Sequence, residues 1–199
     1  MSEKLLRQAL FTVPLYKIGF PQHEKNKELY RAYVDKLIDN SPVVDRLDKI
    51  SSTTKKALHT VPVFEELVGF LGSLCPRIHE DFDISLDKSI AVSAMWCTRC
   101  EKHEFIPNQT QSNGFLYGAY FLQAPPNSGD ILITNEIADR NYFGNIWPDS
   151  SNTINTNVFQ GQIPEGEILL MPAHLTTSYT FNYADDNRYI LNFILQVLF

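Results

Sequence analysis

The chain has 199 residues, of which 44% are hydrophobic and 20% charged, and its formal net charge is −6. Such a composition is that of a globular chain, and the length suits a single domain, 1–199, with a core that needs no covalent staples. The acidic balance argues against a nucleic-acid groove, which needs clustered Lys and Arg. No apolar run of about 18 residues occurs, so no membrane span is expected.

The opening Met1-Ser2-Glu3-Lys4 lacks the pattern of a signal peptide. The cysteines Cys75, Cys97 and Cys100 make no disulfide framework, which points to a reducing compartment.

In chain order, Ala9 to Tyr16 is a short apolar and aromatic run. Pro14 cannot donate to a ladder, so the run predicts an edge strand. From Glu24 to Asp39, the residues Leu29, Tyr30, Tyr33, Val34 and Leu37 recur at helical spacing and predict an amphipathic helix. Asn40-Ser41-Pro42 should end it. A second helix is expected from about Val61-Pro62, with Phe64, Leu67, Val68 and Leu71 inward and a kink or end at Pro76.

From about Ile84 the signature changes. Eight short strands are predicted: Ser89–Cys100, Glu104–Gln109, Phe115–Leu122, Asp130–Thr134, Asn157–Ile163, Glu167–Met171, Thr176–Asn182 and Tyr189–Val197. Turn clusters such as Pro125-Pro126-Asn127-Ser128-Gly129 separate them. Helices first and strands after predict a mainly β jelly roll, 84–199, with the elements of 1–83 packed on its outside as two N-terminal helices and a strand, an α+β arrangement. The connection 135–156 has little strand or helix signal and carries Tyr142, Phe143 and Trp147. A loop of that length is either a contact surface, with these aromatics as candidate interaction residues, or a satellite core folded over one mouth of the barrel.

Certain segments resemble a family when taken in order. Leu10-Phe11-Thr12-Val13-Pro14-Leu15 precedes a helix, and Trp96 follows. Next come Ile106 to Leu122 and Ser128-Gly129-Asp130, and then Pro164 to Leu175 leads to Arg188 and Phe193. This order resembles the 2-oxoglutarate/Fe(II)-dependent oxygenases of bacteria and tailed phages, including cyanophages, over nearly the whole chain. The resemblance implies a double-stranded β-helix. In active members, two His, or His and an acid, on one strand and a His on a later strand hold ferrous iron. An Arg pairs with the distal carboxylate of 2-oxoglutarate. Such a triad leaves coordination positions open for cosubstrate and dioxygen.

Carried onto this chain, the first ligand pair falls on Gln109 and Gln111, the later His on Thr177, and the Arg on Arg188. Amides and an alcohol are neutral donors, so no metal and no catalytic residue are expected at these positions. Arg188 is left as a candidate carboxylate-binding residue. The structural alternative is that Gln109, Gln111 and Thr177 hydrogen-bond one another, or hold water, in a polar, metal-free interior.

His103 with Glu104, and His174, are adjacent or out of phase on a strand and do not replace the triad. Cys97-Thr98-Arg99-Cys100 with His103 has zinc-like spacing, but its two thiols should face opposite sides of a strand.

The expectation is therefore a non-catalytic, oxygenase-like jelly roll. It would act as a structural or binding protein, a tail or capsid-associated phage component. It would be located in the cytoplasm of an infected cell or in the virion. Its partners would be other protein subunits, either copies of itself or virion proteins, with no nucleic acid or membrane. Two alternatives stand beside it: an active Fe(II)/2-oxoglutarate dioxygenase with atypical ligands, and a carboxylate-binding protein using Arg188.

Overall fold

The computed structural model describes residues 13–40, 51–85, 87–136 and 158–198. Tyr142, Phe143 and Trp147, and with them most of the stretch 135–156, lie outside the described residues. Strand β1 (Tyr16–Gly19) leads into helix α1 (His23–Asp39). After the two-residue strand β2 (Ser52–Thr53) and two short 3-10 turns, α2 runs over Glu65–Asp81. The remaining strands are β3 (Ser89–Cys100), β4 (Ile106–Thr110), β5 (Leu116–Gln123), β6 (Ile131–Thr134), β7 (Val158–Gly161), β8 (Glu167–Pro172), β9 (Thr176–Tyr179) and β10 (Arg188–Leu198).

These strands build two antiparallel sheets. One has six strands in the order β1-β8-β5-β10-β3-β2, and the other has four in the order β4-β9-β6-β7. The fold is mainly β, a jelly roll with two helices on its outside. Side chains alternate along each strand, and that alternation makes two cores. Tyr189, Leu191, Phe193 and Leu195 of β10 pack against α1 and α2 with Tyr30, Phe64, Leu67 and Leu71. Ile190 and Ile194 of the same strand turn between the sheets, where they meet Trp96, Tyr117, Met171 and Tyr179.

β5 alternates likewise, and its Gly118 lies under the Phe193 ring. A Cβ there would come within 2.1 Å of that ring, so the close approach of β5 and β10 requires a glycine.

The structure departs from the sequence reading in three places. The first strand begins at Tyr16, beyond Pro14, because the proline has no N–H for the ladder with β8. Pro76 neither ends nor divides α2. Both Pro76 and Gly72, whose carbonyl loses its donor, are exposed, so water can satisfy that carbonyl while Leu71, Cys75 and Ile78 continue the buried face. β2 has only two residues and offers no periodic signal in the sequence. No helix among the described residues is long and apolar enough to cross a membrane.

Candidate functional site

The positions matched to metal ligands lie where β4 and β9 run side by side. Gln109 stands directly opposite Thr177. In an antiparallel pair, opposed residues share a face, and Thr177 is buried toward the space between the sheets. The Thr177 hydroxyl donates to the Gln109 main-chain oxygen at 3.5 Å, the outer limit for such a bond, and lies beside the Tyr117 hydroxyl. Gln111 lies past the end of β4. Its N–H donates to the Ala173 carbonyl at 3.1 Å and its own carbonyl accepts from Gly114. The fold thus brings Gln109 and Thr177 together and ties the Gln111 backbone to the end of β8.

The space behind this pair is packed by the chain itself. Trp96, Tyr117, Phe121, Met171 and Tyr179 fill the interval between the sheets, so the interior is largely apolar rather than polar. A polar thread crosses it. The Tyr117 hydroxyl donates to Asn192 Oδ1 at 2.5 Å, and Asn192 Nδ2 donates to Thr98 Oγ1 at 3.0 Å. Burial pushes the Tyr117 hydroxyl up to about 12, so it is a proton donor throughout the physiological range. The Tyr179 hydroxyl is also buried, beside that of Tyr117. Asn192, set amid Ile190, Leu191, Phe193 and Ile194, is the one signal in the sequence for this thread.

Arg188 begins β10 opposite Cys100 and is 1% exposed. Its guanidinium donates to the carbonyls of Ser128 and Thr180 and to Cys100 Sγ, and it lies 5.3 Å from the centroid of the Tyr179 ring. Gly129, at φ +93°, gives it room, since a Cβ there would meet Arg188 Nη1 at 2.8 Å. Both terminal nitrogens are therefore engaged with the chain, and only Nε is buried without a partner among the described residues. Burial raises the Cys100 thiol to about 11 despite the neighbouring guanidinium, so it remains a thiol.

Cys97 faces the helices and Cys100 faces Arg188, so the pair does not chelate. His103 and His174 are both exposed.

A ferrous ion does not fit these residues. Gln109 and Thr177 offer neutral oxygens instead of imidazole and carboxylate, and no group of three His, Cys, Asp or Glu that could hold a metal ion occurs among the described residues. A carboxylate would also have to displace the Ser128 and Thr180 carbonyls from Arg188 and open the space now filled by Tyr179.

No family profile matches the chain, and no curated protein matches it by sequence. Solved structures do match by shape. The non-heme α-ketoglutarate-dependent carbocyclase SnoK of nogalamycin biosynthesis aligns with a TM-score of 0.65 at 12% identity, over 91% of this chain and 78% of its own. HygX from Streptomyces hygroscopicus, with nickel and 2-oxoglutarate bound, aligns with a TM-score of 0.60 at 12% identity, over 93% and 83%. A Pseudomonas putida prolyl-4-hydroxylase aligns with a TM-score of 0.61 at 8% identity, over 93% and 94%. At such identities the likeness shows the fold. This chain has the jelly roll of the 2-oxoglutarate/Fe(II) oxygenases, without a metal-binding group among its described residues.

Proposed function

We propose that the chain is a non-catalytic protein on an oxygenase fold, working as a structural or binding component. The observation that carries the reading is the residue set at the heart of the barrel. An amide and an alcohol face each other across β4 and β9, and aromatic rings pack the volume behind them. Loss of supporting groups alone weakens a metal site about 10–100-fold, and loss of the ligands themselves costs far more. The likeness of Ile106–Leu122 and Pro164–Leu175 to a family frequent in tailed phages supports a place in a virion, tail or capsid-associated, and in the cytoplasm of the infected cell before assembly. Its partners would be other protein subunits, including copies of itself, met at sheet edges such as β4, which is terminal in its sheet among the described residues.

The test is direct. The purified protein is loaded with Fe(II) anaerobically, its metal content is measured after desalting, and 2-oxoglutarate turnover is followed as succinate release. Substoichiometric iron and no succinate are expected. Stoichiometric iron with turnover would establish the dioxygenase alternative. Mass spectrometry of purified phage particles then tests the virion assignment.

One observation favours a second reading. The buried Arg188 Nε without a partner leaves a donor for a carboxylate. Saturable binding of 2-oxoglutarate or succinate without turnover, lost in Arg188→Lys, would support it.

A further inference from the structure

Beyond the barrel interior, the loops joining β3 to β4 and β9 to β10 carry a row of rings at the protein surface. His103 and Tyr183 are 6.0 Å apart between ring centroids, Tyr183 and Phe181 6.0 Å, and Phe181 and Phe105 5.0 Å. Phe181 is 39% exposed and Tyr183 62%. Leaving two large apolar rings in water forgoes stabilisation that burial would supply, and an ordered group of them marks a contact surface.

The row is built, not incidental. Asn182, between the two exposed rings, is 0% exposed. Its side-chain amide donates to the Cys100 and Asp186 carbonyls, each at 3.0 Å, and its Oδ1 accepts from the Ala184 N–H at 3.0 Å. The two loops are zipped by His103 N–H to Asn182 O at 2.7 Å and Asn182 N–H to Glu104 O at 2.9 Å. His103 holds a φ of +68°, a conformation that costs a non-glycine residue energy and persists only where its surroundings enforce it. With Asn182 pinned inward, Phe181 and Tyr183 on either side of it face outward. They are ordered before any partner arrives, which lowers the cost of binding.

The charge around the rings selects the partner. The same two loops hold Glu101, Glu104, Asp185 and Asp186 against a single lysine, Lys102, which pairs with Asp185 at 2.6 Å, while Glu101 lies 3.4 Å from Arg99 of β3. Beside Phe105 the row continues into a shallow hollow of about 460 Å³ on the outer face of the four-stranded sheet, bordered by Pro107, Leu132 and Ser178. Aromatic faces attract cations, and a planar guanidinium both stacks on a ring and pairs with a carboxylate.

We propose that this ledge docks an arginine-bearing extended segment of a partner protein. Its guanidinium groups lie on Phe181 and Tyr183 beside the acidic loop residues, and an apolar side chain enters the hollow. The inference goes beyond the reading of the barrel interior and holds whatever that interior binds.

The experiment titrates the full chain with a blocked peptide of alternating glycine and arginine, and with its lysine and glutamate counterparts, by isothermal calorimetry at physiological salt. Saturable binding of the arginine peptide is expected, weaker binding of the lysine peptide, and none of the glutamate peptide. Phe181→Ala with Tyr183→Ala should weaken binding about tenfold, as the loss of two surface cation–π contacts implies. Tyr183→Ala alone should also weaken binding, with a melting temperature near that of the wild type because that ring is 62% exposed. Asp185→Asn with Asp186→Asn should weaken binding and flatten its salt dependence, independently of the ring variants. Absence of saturable binding overturns the proposal. So does binding that the ring variants leave unchanged, which would be general attraction to an acidic protein. A dimer in sedimentation that Tyr183→Ala dissociates would make a second copy the occupant and overturn it equally.

Discussion

Removing the Asn192 side chain should destabilise the protein, because that amide holds a polar thread through the inter-sheet core. It accepts from the Tyr117 hydroxyl and donates to Thr98 Oγ1 and, at 3.2 Å, to the Ile190 carbonyl. Asn192→Ala strands the buried Thr98 hydroxyl and takes one partner from the Tyr117 hydroxyl, which keeps those of Thr177 and Tyr179 beside it. A buried polar group left unsatisfied costs about 1–3 kcal/mol, so the loss at Thr98 alone is of that size. That is a large fraction of the about 5–15 kcal/mol by which a domain is stable. Equilibrium urea unfolding followed by circular dichroism measures it, with an unchanged slope against denaturant as the check that only stability moved. In the double variant, Tyr117→Phe removes the hydroxyl that had donated to the amide. The pair should therefore lose less than the sum of the single variants, with a coupling of about 0.5–3 kcal/mol. A loss below about 1 kcal/mol in Asn192→Ala, or strict additivity of the pair, would refute the claim that this thread holds the interior closed.

Other outcomes follow from the same structure. Gln109→His combined with Thr177→His sets two imidazoles directly opposite across β4 and β9, and should create a Ni²⁺-dependent rise in melting temperature that neither single variant shows. No rise would argue against the register of these strands. Gly118→Ala should cost about 1–3 kcal/mol or more, because its Cβ would strike the buried Phe193 ring, and calorimetric melting would show it. Pro76→Ala should stabilise α2 by about 1–3 kcal/mol, since it restores the donor to the exposed Gly72 carbonyl within a helix, an effect readable as a shift of the urea midpoint.

Stability should also fall at high pH. Burial raises Cys100 to about 11, and Tyr30 and Tyr117 each to about 12. The folded state holds these protons more tightly than the unfolded chain does, so their contribution is complete below pH ~9 and is lost as pH rises through about 11–12. A melting temperature flat from pH ~8 to ~11.5 would contradict it.

Short runs from Ser89 onward, bounded by turn clusters, marked the strands. Glycine and proline clusters marked the turns. The helix from His23 to Asp39 was legible from Tyr30 and Val34, which sit on its buried face. Pro76 misled, because its local penalty depends on whether the freed carbonyl meets water, and that is set by which face of α2 is exposed.

The residue types at Gln109, Gln111 and Thr177, and hence the absence of imidazole and carboxylate there, are properties of the sequence alone, as is the β-rich pattern that makes a jelly roll. Tertiary structure alone decided that Gln109 meets Thr177 while Gln111 does not, because only strand register places residues far apart in the chain on one face. It also decided that Arg188 spends its terminal nitrogens on the Ser128 and Thr180 carbonyls, and that Phe181 and Tyr183 stand outward around a buried Asn182. A side chain's neighbours across a sheet come from long-range pairing, which no local pattern encodes.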